Sequence, residues 1–235
     1  MAGGRKGRAA SAAEPPHRAP YYIAAMRFRE PFNAWSHLVG LVLAAAGTGL
    51  LLTRADTPSR WLAFTVYGGS LILLYGASTL YHGLHLSPRR LRSFRTLDHI
   101  AIYFLIAGTY TPVSLLTLDR AGGRTLLAVC WGIAAAGIPF KIRWLDAPVW
   151  LSTAIYLAMG YLALLAVVPI ERAVGAAGLA WLIAGGLAYT VGAVIFALER
   201  PNPRPWFGHH EIWHLFVLLG SGFHFGFVLL HVARV

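Results

Sequence analysis

Residues 209–214 read HHEIWH, and the five from His210 to His214 fit the H-E-x-x-H pattern of zinc peptidases. Imidazoles four residues apart share one helix face, and that spacing suits two ligands on a single Zn2+. A catalytic zinc takes three protein ligands and keeps its fourth position for water. His82 is the expected third ligand, on grounds of depth developed below. Ser78 sits one turn deeper on the same face, where its hydroxyl would reach a bound water or a substrate oxygen. Asp98 is expected to orient a ligand or to take a proton from that water; alternatively, at the start of a helix, it simply caps it. Spacing alone is equally compatible with ordinary interhelical hydrogen bonding by the three histidines.

Composition identifies the elements that must position these groups. Of 235 residues, 57% are hydrophobic and 12% charged, against about 25% charged in soluble domains. Mean hydropathy is +0.59. Such a chain reads as a membrane protein. A net charge of +11 would suit nucleic acid if it formed a patch. Here the cations fall between apolar runs, so anionic lipid is the expected partner and nucleic acid is not. Cys130 is the single cysteine, which excludes an internal disulfide, and its apolar neighbours make it a packing residue. Residues 1–27 are expected to be a disordered, basic, cytoplasmic tail. Residues 28–235 are expected to form one membrane domain.

Seven stretches approach the roughly 20 apolar residues that cross a bilayer: 33–52, 61–84, 98–118, 125–140, 149–168, 178–198 and 210–232. The expected fold is all-α, a seven-transmembrane helix bundle. All 20 Lys and Arg residues lie outside these stretches, fourteen on the side of the N-terminus and six on the other. The positive-inside rule then gives a cytoplasmic N-terminus and an external C-terminus. Opposite ends require an odd number of crossings.

This topology brings three distant segments to one depth. His82 lies near the cytoplasmic end of the second span, about five residues or roughly 8 Å before Ser87-Pro88. His210 and His214 lie in the first two turns of the seventh, and Asp98 opens the third. Asp98 and Glu211 are the acidic residues read at span edges. Glu211 lies about 100° round the helix from His210 and is read as an acidic residue favoured near a helix N-terminus. His224 and His231 are read as packing or interfacial residues, and His85 and His99 as interfacial. His37 has the right depth but no partner by spacing.

The strings EPFNAWSHLVG, GASTLYHGLH, LDHIAIYFLIAGTYTPVSLL and HHEIWHLFVLLGSGFHF resemble the hemolysin III family. That family belongs with the progestin and adipoQ receptors, including the adiponectin receptors, and more distantly with alkaline ceramidases. The resemblance covers about residues 28–232. It implies a seven-helix fold with a cytoplasmic N-terminus. It also implies an intramembrane zinc site: Ser78 and His82 match an S-x-x-x-H motif on helix two, Asp98 the acidic residue near the zinc-bound water on helix three, and His210 and His214 an H-x-x-x-H motif on helix seven. The extended N-terminal domain of the receptor members is not expected here, which weakens a hormone-receptor reading.

Three readings of function follow. The first is a zinc-dependent hydrolase of lipid amide or ester bonds, as the ceramidase-like side of the superfamily implies, in a multi-pass protein of the plasma or inner membrane. Membrane lipid is its expected substrate; Asp98 serves as base or orienter and Ser78 stabilises the oxyanion. The second is a non-enzymatic receptor-like or membrane-perturbing protein with a structural zinc. The third is a protease using Glu211 as base, and the position of the motif on the last helix argues against it, since every partner must come from earlier in the chain.

Overall fold

The computed structural model describes residues 28–118 and 120–235; the expected tail over 1–27 lies outside them. The described residues are helical, apart from connections and one isolated bridge between Arg204 and Phe207. In chain order the α-helices are α1 (Pro31–Leu52), α2 (Pro58–Gly83), α3 (Pro88–Leu116), α4 (Arg120–Arg143), α5 (Val149–Gly160), α6 (Val167–Leu198) and α7 (His209–Leu230). A 3-10 stretch, Tyr161–Ala166, joins α5 to α6. The first three helices each open on proline, whose fixed φ suits the first turn and whose missing N–H would have been unpaired there. Six helical runs are long and apolar enough to cross a membrane.

Three expectations are corrected. The third helix begins at Pro88, ten residues before Asp98. Asp98 therefore caps nothing, and Arg89, Arg90, Arg92 and Arg95 belong to the helix rather than to a loop. The fourth runs to Arg143 and takes in Lys141, which is buried. Lys and Arg are thus not confined to loops: hydropathy marks the apolar section of a helix, while helical hydrogen bonding continues past it into polar sequence. The expected loop between the fifth and sixth stretches is helical too, so that Val149–Leu198 forms one apolar run of 50 residues.

That run does not stay straight. At 1.5 Å per residue it would extend about 75 Å, against about 30 Å of hydrocarbon. Helical dihedrals break at Gly175, with φ 72° and ψ 171°, a region open essentially to glycine alone. The Tyr161 and Thr190 hydroxyls, placed symmetrically about Gly175, are hydrogen-bonded at 2.8 Å. The two limbs therefore lie side by side as a helical hairpin.

The main core forms where α1, α2, α3 and α7 meet, around Phe64, Tyr67, Leu71, Leu74, Val217 and Phe227. A second core joins α3, α4 and α5 through Tyr103, Tyr110, Leu126, Cys130 and Met159. Cys130 is fully buried there and unbonded, as a packing residue should be. At Gly40 of α1, a Cβ would meet the Tyr75 ring at 2.6 Å and Leu218 at 2.8 Å. Glycine is what lets α1 settle against α2 and α7 one turn from His37.

Candidate metal centre

The C-terminal turn of α2 is closed by the chain that enters α1. The backbone N–H of Glu30 donates to the His82 carbonyl at 2.9 Å, and that of Arg29 to the Gly83 carbonyl at 3.2 Å. The Arg29 guanidinium donates to the Tyr81 carbonyl at 2.8 Å. The last carbonyls of a helix need such partners, and a cation there also opposes the helix dipole. This strap brings the Glu30 carboxylate onto Nδ1 of His82 and the Arg29 guanidinium. Partial burial alone would raise the Glu30 carboxyl, but the hydrogen bond from His82 and the Arg29 guanidinium hold it down at about 2. Being ionised, Glu30 can only accept. Nδ1 of His82 therefore donates, and Nε2 is the ring nitrogen left for another partner.

The His82 ring belongs to a cluster. One ring nitrogen from each of His82, His210 and His214 lies within 4.8 Å of the others. Ring centroids are 5.1 Å apart for His82 and His210, 4.8 Å for His82 and His214, and 5.0 Å for His210 and His214. His82 and His214 are 1% and 2% exposed. Both Nε2 of His82 and Nδ1 of His214 are buried without a hydrogen-bond partner. A buried polar atom left unpaired costs about 1–3 kcal/mol, so two in one cluster point to a missing electrophile. Three imidazoles with a carboxylate behind one of them match the donor set and outer support of a zinc site. The residues present fit the expected metal.

The other expected site residues lie alongside. Asp98 faces Ser78 and His82 across the α2–α3 interface and stands outside the metal-spaced group. The Ser78 hydroxyl is buried and hydrogen-bonded to Nδ1 of His37 at 2.7 Å. Glu211 accepts from the Gly208 backbone N–H at 2.8 Å, capping the start of α7 from its third position. Its second oxygen accepts from the Asn33 side chain at 3.0 Å. Each oxygen thus accepts a structural contact, which favours a capping role over that of a peptidase base.

Sequence reasoning missed three neighbours. His37 stacks on His214 with centroids 3.8 Å apart and planes at 18°, although it seemed to lack a partner. Asn33, 1% exposed, contacts both Glu30 and Glu211. Glu30, not counted among the edge acids, sits at the α1 N-cap. Glu30, Asn33 and His37 rise along one end of α1 at the depth of His82, which was the available signal. His224, by contrast, bonds the Leu182 carbonyl at 3.2 Å and packs over Gly185, away from the cluster.

A membrane-embedded helical bundle with histidines of α2 and α7 converging at one end defines a class of protein, and the comparisons with known chains name its family. Residues 26–225 match the family described as "Haemolysin-III related", and the chain belongs to it. It is 44% identical to "Hemolysin-3" of Bacillus cereus over 85% of this chain and 90% of that one. It is 40% identical to the "Hemolysin-3 homolog" of Bacillus subtilis (strain 168), over 86% and 94%. A more distant likeness, 23% identity over 83% of this chain and 49% of the other, reaches an "Adiponectin receptor protein" of Drosophila melanogaster, in keeping with the wider superfamily. Family and apolar helices together make this a multi-pass membrane protein.

Proposed function

We propose that the chain crosses the membrane seven times, with its N-terminus cytoplasmic, and is a zinc-dependent hydrolase of lipid amide or ester bonds. The observation that carries the reading is the buried cluster of three imidazoles with two orphaned nitrogens. The seventh crossing is supported by the hairpin at Gly175, whose limbs are each about long enough to span. The orientation is supported by the excess of Lys and Arg at the end where His82 lies, which fits a plasma or inner membrane. His82, His210 and His214 would hold the Zn2+. When bound, it supplies a Lewis acid that acidifies water and polarises a carbonyl.

The chain's own groups do the rest. Glu30 keeps the proton on Nδ1 of His82 and turns Nε2 inward. His37 braces the His214 ring by stacking. Asp98 takes the proton from the attacking water, or orients it, from across α3. Ser78, aligned by His37, offers its hydroxyl to the developing oxyanion. The burial of the cluster keeps bulk water out, which strengthens each of these interactions. The depth of the cluster, near the ends of α2 and α7, suits a bond at the polar–apolar boundary of a lipid.

The test is zinc content and fatty-acid release, measured on purified protein in lipid. The expected outcome is stoichiometric zinc, lost in His214→Ala together with release from an amide- or ester-linked lipid. Full zinc with no release from any lipid class sinks the hydrolase. The near-complete burial of His82 and His214 favours one second reading, a receptor-like or membrane-perturbing protein in which zinc only ties α2 to α7. Liposome leakage that survives His214→Ala distinguishes it.

A further inference from the structure

At the same end of the bundle, α3 and α4 hold cations that the chemistry above does not use. Lys141 is 1% exposed, and its ammonium donates to the Ser152 hydroxyl at 2.6 Å over the rings of Phe140 and Tyr156. Among the described residues it has no ion-pair partner. Arg92 and Arg95 both donate to the single carboxylate of Asp146, at 3.1 Å and 2.7 Å. They hold the Asp146 carboxyl below its usual range. Arg95 also lies within electrostatic reach of Lys141, Asp98 and His99. Even with Asp98 counted, the cations outnumber the carboxylates. The carboxylate whose charge reaches Lys141 is Asp146, which both guanidiniums already share; a buried ammonium so weakly compensated at membrane depth is costly and marks a site.

The placement says what such a site would bind. Arg95 precedes Asp98 by three residues, so it stands about 4.5 Å nearer the start of α3, toward water. Trp144 and Trp150 flank the cluster and are exposed, as side chains at the headgroup level are. A lipid whose scissile bond reaches the histidine cluster directs its headgroup outward at this level. We propose that Arg92, Arg95 and Lys141 recognise the anionic phosphate headgroup of the lipid bound at the metal centre. The link to hydrolysis rests on the reading above; the anion site rests on these three cations alone. Basic pockets between helices at the cytoplasmic face are a recurring way of holding such headgroups.

Full-length protein in detergent is titrated with short-chain phosphatidylglycerol, short-chain phosphatidylcholine and inorganic phosphate, with binding read from thermal shift. Wild type is expected to bind phosphatidylglycerol at least about tenfold tighter than phosphatidylcholine, matching one lost charged contact of about 1.4 kcal/mol. Arg95→Gln, on an exposed side chain, should erase that preference with zinc content unchanged. Lys141→Met, close in volume, should do the same. Equal binding of the two lipids by wild type, or a preference intact in both variants, overturns the site. Inorganic phosphate binding as tightly as phosphatidylglycerol overturns the lipid assignment. A preference without hydrolysis leaves the headgroup site standing and sinks the hydrolase; hydrolysis without a preference does the reverse.

Discussion

The α1–α2–α7 end and the α5–α6 hairpin are held by different physics. At the histidine end the contacts are directional and cross between helices: Glu30 to His82, Asn33 to Glu211, His37 to Ser78. Asn33, His37, Ser78 and His82 are buried there, and buried polar groups call for specific partners. The hairpin carries large exposed apolar side chains such as Leu164, Leu165, Val168, Leu187 and Leu198, which lipid satisfies without any directional requirement. Its conformation turns on one backbone position, Gly175. One region is specified by side-chain chemistry, the other by a single permissive residue and hydrocarbon.

The largest expected effect breaks the first region alone. Chelation, or His82→Ala, should remove zinc and lower the melting temperature of the whole bundle in detergent. With free metal at about a thousandfold its dissociation constant, the bound ion contributes about 4 kcal/mol. A melt unmoved by chelation would show that the histidine end holds together without metal. Glu30→Gln comes next. The amide keeps the shape but no longer fixes the proton on Nδ1, and zinc affinity should fall about 10- to 100-fold in a competition titration. Unchanged affinity would reduce Glu30 to a strap residue.

The hairpin should respond independently. Gly175→Ala meets no steric neighbour but forces a side chain into a glycine-only conformation, at a cost of about 1–3 kcal/mol. The thermal melt should register this while zinc content stays the same. Loss of zinc in this variant would mean that the two regions are coupled. The smallest effect is expected for Glu211→Gln, which weakens a cap worth about 1 kcal/mol. Zinc and lipid hydrolysis should persist; loss of all hydrolysis with zinc retained would restore the peptidase reading of the motif.

Much of this was legible in residue types. Apolar runs announced the helices because burying about 20 residues in hydrocarbon leaves few alternatives. His210 and His214 announced a shared face through spacing. His82 joined them through depth, once the charges had set the direction of each span. The ends of helices were not legible, since α3 and α4 continue through charged sequence that hydropathy excludes. Asp98 was placed at a helix start and lies well inside one. Glu30, Asn33 and His37 escaped because their value depends on partners 41 to 178 residues away.

The sequence by itself determined that the chain lives in a membrane as apolar helices, and that histidines of α2 and α7 share a depth. Both follow from one-dimensional patterns, hydropathy and periodicity, that hold whatever the neighbours are. Only the tertiary structure decided which way each imidazole turns, that Glu211 is spent on a helix cap, and that Lys141 is buried with no ion-pair partner among the described residues. Those depend on side chains meeting across helices, where a rotation of one residue, about 100°, replaces every partner.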